Sequence, residues 1–218
     1  MILKNTKMKN TILLSLLAFT FMTTGLFGQA QYEQGMSKAF ELWRSADKST
    51  EAVALFERIA QAEKDNWLPS YHAANVLIVS SFQTTDKTRV NEMLEKAKGI
   101  IAEAHKRSPD NAEIYTLEGL LYTGYVAMDP ATYGMTYSGK IMGLHQKAIE
   151  LDATNPRAQL NAIEYEIGGA RFFKTDLKVF CDRLEATLPL FEAQKQETPF
   201  HPFYGADRIP VVKEQCGC

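Results

Sequence analysis

The sequence predicts an all-α chain of stacked helical hairpins, and three observations predict it. Apolar residues after position 31 recur at helical spacings throughout. No segment offers the strict alternation, bounded by hairpin turns, of a half-buried strand. Three similar segments recur about 44 to 45 residues apart: Asn66-Trp67-Leu68-Pro69-Ser70-Tyr71, Asp110-Asn111-Ala112-Glu113-Ile114-Tyr115 and Thr154-Asn155-Pro156-Arg157-Ala158. A fixed period of that size marks hairpins that bury their apolar faces only against neighbouring hairpins.

Eight helices are expected, near 32–46, 49–63, 67–82, 86–107, 111–127, 134–152, 156–168 and 175–194. The second carries Ala52, Leu55, Phe56 and Ile59 at i, i+3, i+4 and i+7. The third opens on the first repeated segment. The fourth alternates spacings of four and three through Val90, Leu94, Ala97, Ile101 and Ala104. A capping box of Asp110 and Glu113 starts the fifth. Ile141, Leu144, Ala148 and Leu151 stripe the sixth. Asn155-Pro156 places a cap before a proline at N1 of the seventh, and Gly168-Gly169 reads as its C-cap and turn. Leu177, Phe180, Leu184, Leu188 and Phe191 define the eighth. The insert from Met128 to Gly139 reads as an elongated turn whose Tyr133 and Tyr137 cover the hairpin end. Beyond it all, Pro199, Pro202 and Pro210 predict an irregular tail, held down by Phe200, Phe203 and Tyr204.

The 218 residues divide into a leader at 1–30, a helical repeat domain at 31–196 and the tail at 197–218. Lys4, Lys7 and Lys9 precede an uncharged, largely apolar run from Ile12 to Met22, and Gly28 and Ala30 supply small residues before a polar start. That pattern is a secretory signal peptide, cleaved after Ala30 or after Gly28. The run is too short for the roughly twenty residues of a membrane-spanning helix. An exported protein, periplasmic or secreted and without stable membrane insertion, is expected. Three of the 24 basic residues lie in the leader against none of the 26 acidic ones, which leaves the body at −5. A mildly acidic body with no basic run argues against nucleic-acid binding.

The hairpins carry a recognisable signature. Ala97, Ile101, Ala104 and Pro109 keep the spacing of a tetratricopeptide B helix, and Tyr115, Gly119 and Tyr122 keep the A-helix positions. Gly119 lets the paired helix approach, and Tyr122 fills the gap beside it. Ala52, Phe56 and Ile59 repeat the pattern in the first hairpin, and Ala148-Ile149-Glu150-Leu151-Asp152 followed by Asn155-Pro156 repeats it in the third. The chain resembles exported tetratricopeptide-like proteins of Gram-negative bacteria, a group mostly of unknown function. Trp67-Leu68-Pro69-Ser70-Tyr71-His72-Ala73-Ala74 and His201-Pro202-Phe203-Tyr204-Gly205 add to that resemblance, which spans most of residues 32 to 205. It departs from standard repeats in its longer period and in the insert. The resemblance implies a right-handed α-α superhelix of about four hairpins that binds a protein or peptide partner, or scaffolds an envelope complex. In the tetratricopeptide register the groove positions are Tyr71 and Asn75, Glu113 and Thr116, and Arg157 and Glu164, from three successive A helices.

Candidate chemistry is sparse. His72, His105, His145 and His201 are widely separated and form no metal-binding pair, so structural or solvent roles are expected, with no metal and no cofactor. No nucleophile elbow, Walker loop or dinucleotide turn is present, and Glu164 and Glu166 sit two apart, off a common helical face. A non-enzymatic binding protein is therefore expected, ahead of an assembly subunit without a groove, with a hydrolase or redox protein behind both. In an exported chain Cys181, Cys216 and Cys218 predict a disulfide from Cys181 to the tail, to either terminal cysteine, because a Cys216–Cys218 ring is very tight. A terminal metal-capture or thiol-exchange site is the rival for Cys216-Gly217-Cys218.

Overall fold

A computed structural model describes residues 28–45 and 47–218, so most of the expected leader lies outside the described residues. Every regular element among them is helical. Helix α1 covers residues 28–44, followed by α2 (Ser49–Ala62), α3 (Leu68–Ser81), α4 (Lys87–Arg107), α5 (Ala112–Met128), α6 (Pro130–Leu151), α7 (Pro156–Phe173), α8 (Cys181–Ala193) and α9 (Arg208–Cys216). A single 3₁₀ turn, Lys178–Phe180, leads into α8.

The repeat has a local cause. Asn66, Asn111 and Asn155 occupy the same place before α3, α5 and α7, and each side-chain oxygen accepts a backbone N–H of the first turn, at 3.0 Å in all three cases. Each cap satisfies an orphan donor that an alanine would leave bare. The capping box expected at Asp110 and Glu113 is displaced by one residue. Asn111 is the cap, and Glu113 turns away from its own helix because Arg157 and Asn155 claim its carboxylate.

Consecutive helices pack as neighbours, and α5 also touches both α3 and α7. The core has three parts. One lies among α3 to α6 around Leu94, Ile101, Leu117 and Ile141. A second joins α1, α2 and α3 through Met36, Phe56 and Ala73, and a third joins α7, α8 and α9 through Leu160, Leu184 and Ile209.

Three expectations are corrected here. The insert is not a turn: Asp129 caps it, Pro130 takes N1, and it forms the first turns of α6. Its Tyr133 and Tyr137 stack on each other at 5.4 Å and meet Tyr122 and Tyr125, so tertiary packing overrides a sequence poor in helix formers. Helix α7 runs through Gly168-Gly169 and ends at Lys174, in the left-handed region at φ 56°. The tail is irregular only to Asp207. Pro210 falls in the first turn of α9, where its missing N–H is an orphan in any case.

Cys181 and Cys218 are bonded, with Cα atoms 5.6 Å apart, and Cys216 is a buried free thiol. Of the three aromatic residues expected to hold the tail, Phe200 is buried against Tyr32 and Phe40 of α1, whereas Phe203 and Tyr204 are 53% and 43% exposed. Among the described residues no helix is long and apolar enough to cross a membrane.

Candidate ligand-binding cleft

Helices α3, α5 and α7 present a common face. Tyr71, Asn75 and Val79 fall four apart along α3, with Thr116 and Leu120 on α5 and Asn161 and Tyr165 on α7. At one end of this face lies a buried polar network. Glu113 accepts from Nε and Nη2 of Arg157 and from Asn155 Nδ2 at 2.6 Å, while Arg157 Nη1 donates to Gln194. The Tyr71 hydroxyl lies 3.4 Å from the same carboxylate and 2.5 Å from the hydroxyl of Tyr204. Burial, then Tyr204 and Glu113, raises the Tyr71 pKa well above its ordinary value, so it remains a neutral phenol. Burial opposes the charge on Arg157, but the hydrogen bonds and charge of Glu113 raise its pKa nonetheless.

The tail closes over this network. The carbonyl of Phe200 meets His72 Nε2 at 2.7 Å, and the Arg157 guanidinium lies over the Tyr204 ring at 5.5 Å. Gly205 takes φ 111° where the chain turns past Phe191; a side chain there would be strained and would press on that ring.

Of the six groove positions read from the sequence, Tyr71, Asn75, Glu113, Thr116 and Arg157 are all buried, and Glu164 is half-buried. Tyr71, Glu113 and Arg157 share the network, while Asn75 and Thr116 line a recess of about 330 Å³ beside it. Five of the six thus face the interior or this recess, and Glu164 lines the cleft beyond it. The polypeptide that meets them is the chain's own tail, which Pro199 and Pro202 keep out of regular structure until α9.

What stays open lies further along the same face. A cleft of about 480 Å³ runs between the ends of α3 and α9 across α5 and α7, and it adjoins the recess through Val79, Leu120, Asn161 and Arg208. Val79, Leu120 and Tyr165 supply half-buried apolar walls, and Phe82 stands at the rim, 45% exposed. Arg171 and Arg208 are also at the rim; Arg208 pairs with Glu164 at 2.7 Å, while Arg171 donates to Gln215 at 2.9 Å. His145 forms part of the lining yet is almost wholly enclosed. Its ring fills the notch at Gly119, where an added Cβ would lie 2.5 Å from Cε1. Neither ring nitrogen has a hydrogen-bond partner, and burial holds its pKa down at about 4 against the opposing pull of Glu166.

A wider opening of about 700 Å³ sits between the N-termini of α5 and α7 and residues 193–201. Its asparagine caps and the Glu113–Arg157 pair are already satisfied within the chain. The smaller cleft is therefore the candidate site, since it joins apolar walls to two exposed arginines and a few other polar groups. Sequence reading missed Phe82, Leu120, His145, Tyr165, Arg171 and Arg208. Only the glycine at 119, a close-approach position, hinted that another helix would place a side chain there.

No family model matches this chain, and no curated protein matches its sequence. The fold is similar to that of a haemophore. That protein, HusA from Porphyromonas gingivalis, superposes with a TM-score of 0.73 over 85% of this chain and 92% of its own. Sequence identity to HusA is 19%, which establishes a shared fold.

Proposed function

We propose that the chain is an exported, non-enzymatic carrier that holds a compact, apolar-bodied anionic ligand in the cleft between α3, α5, α7 and α9. The cleft carries this reading: its volume of about 480 Å³ lies in the range of small-molecule sites, and its walls combine apolar side chains with a few polar groups and two rim arginines. The likeness to HusA supports a carrier over an enzyme and makes haemin the first ligand to test. The Cys181–Cys218 bond is compatible with an oxidising compartment and hence with export. The tetratricopeptide-like superhelix belongs to the same proposal, supported by the contacts of α5 with both α3 and α7.

Titrating the purified protein with haemin and with protoporphyrin IX, read by quenching of tryptophan fluorescence, tests it. One-to-one saturation at micromolar concentration is expected for at least one of them; no saturable binding of either removes the tetrapyrrole carrier reading.

A protein partner is the second reading, in which Tyr71, Asn75, Glu113, Thr116, Arg157 and Glu164 back the partner surface through the tail that covers them. It is favoured by Phe172 and Phe173, 72% and 75% exposed at the end of α7, an apolar point of the kind partners cover.

A further inference from the structure

We infer that the turn joining α7 to α8 docks reversibly on an anionic phospholipid surface: Phe172, Phe173 and Val179 enter the interface, and Arg171, Lys174 and Lys178 meet the lipid phosphates. The inference stands apart from the carrier reading above.

The segment Arg171-Phe172-Phe173-Lys174-Thr175-Asp176-Leu177-Lys178-Val179 divides its apolar residues between two sides. Leu177, with Phe180 just beyond, packs into the core shared by α7, α8 and α9. Phe172 and Phe173 do the opposite, 72% and 75% exposed, and Val179 is 64% exposed. Single apolar residues on a surface need no cause, but two phenylalanines in edge contact at 5.2 Å, with a valine in the same turn, do. The backbone beneath the pair is fixed. Lys174 takes the left-handed region, its N–H reaches the Arg171 carbonyl at 3.2 Å, and the Thr175 N–H reaches the Ala170 carbonyl at 2.9 Å. The helix thus closes in a Schellman motif and holds both rings at its end.

Charge identifies the occupant. These nine residues carry three basic side chains against Asp176 alone, a local +2 in a body of −5. Arg171 donates to the neutral Gln215, and the ion pairs of this region are made by Arg183, Arg208 and Lys213 instead. Among the described residues the three cations of the turn therefore have no carboxylate partner. An apolar point flanked by cations suits an anionic bilayer, where apolar groups enter the headgroup boundary and cations approach phosphate. Protein interfaces are poor in lysine, so Lys174 and Lys178 beside the rings favour lipid over a protein partner. Arg171 also lines the cleft, so docking sets one end of it against the bilayer.

The test is sedimentation of the exported protein, processed and with its disulfide intact, with phosphatidylethanolamine vesicles made with and without phosphatidylglycerol. Binding should be roughly tenfold tighter with phosphatidylglycerol, and that gain should fade as salt is raised. The double variant Phe172→Ser, Phe173→Ser should lose sedimentation at an unchanged melting temperature, and Lys174→Gln with Lys178→Gln should lose the preference for phosphatidylglycerol. No sedimentation of the native protein with either vesicle, or unaltered affinity in the double serine variant, overturns the inference. Binding to envelope membranes that protease treatment of those membranes abolishes, without binding to pure lipid, overturns it in favour of a protein receptor. Should the serine variant not fold, Phe173→Trp decides: its added emission should shift to the blue with phosphatidylglycerol vesicles, and an unshifted emission overturns the inference. Tetrapyrrole titration without lipid reads the carrier function separately, so the two fail independently.

Discussion

Glu113 ties together three segments far apart in sequence: its own helix, the start of α7 through Asn155 and Arg157, and, by way of Tyr71, the tail at Tyr204. Breaking a buried ion pair from one side strands the other charge, so Glu113→Ala should cost about 3 to 5 kcal/mol in urea unfolding. Replacing both partners with leucine and methionine should recover most of that loss, because the uncompensated charge goes with the pair. The histidines act on stability through pH. Burial holds His72 and His145 down at about 4, whereas an unfolded histidine titrates near 6.5. Both are neutral at pH 7 in either state. Below about pH 6.5 the unfolded chain takes up protons that the native one refuses, so stability falls until the native groups charge near pH 4. The full loss is roughly 3 kcal/mol per histidine. Urea midpoints measured from about pH 7 to about pH 4.5 should therefore decline, and His72→Gln should flatten the slope. The groove residues were legible as a set because the 44-residue period aligns them. Their burial was not, since Tyr204 lies 133 positions from Tyr71 and no local pattern links the two.

Among the elements, those with strong local signals were the most legible. Helix α4 shows why: its apolar stripe is unbroken, Asp86 caps two backbone donors, and His105, Lys106 and Arg107 fill its last turn. The failures fall where packing outweighs propensity. The start of α6 contains Gly134 and Gly139 with threonines and tyrosines, and only the tyrosine cluster against α5 makes it helical. Helix α9 was hidden by Pro210, which is harmless in a first turn. The disulfide then secures this late helix to α8. It joins residues 37 apart, and in the chain-entropy model such a link stabilises by about 3 to 4 kcal/mol. Cys181→Ser should lower stability by about that amount, read by thermal or urea unfolding under non-reducing conditions. A loss under about 1 kcal/mol would mean that α9 is held by Ile209 and Val212 alone.

For the whole molecule, the tail divides one helical face into two regions. Near Tyr71 and Arg157 the face is spent on the chain's own C-terminal segment; beyond Leu120 it remains available as a cleft. Nothing in the sequence marked that boundary, because Phe82, His145, Arg171 and Arg208 arrive from four separate segments. The period revealed which helices share a face, but only the fold revealed which part of the face is empty. The carrier reading depends on that emptiness. Leu120 is half-buried in the wall common to the cleft and the recess, so a larger side chain there extends into open space rather than into a packed core. The most direct measurement is tetrapyrrole affinity in Leu120→Trp, with its melting temperature checked against the native protein. An unchanged melting temperature with affinity reduced tenfold or more is the expected result. Full affinity in a folded Leu120→Trp would place the ligand elsewhere and contradict the cleft as the binding site.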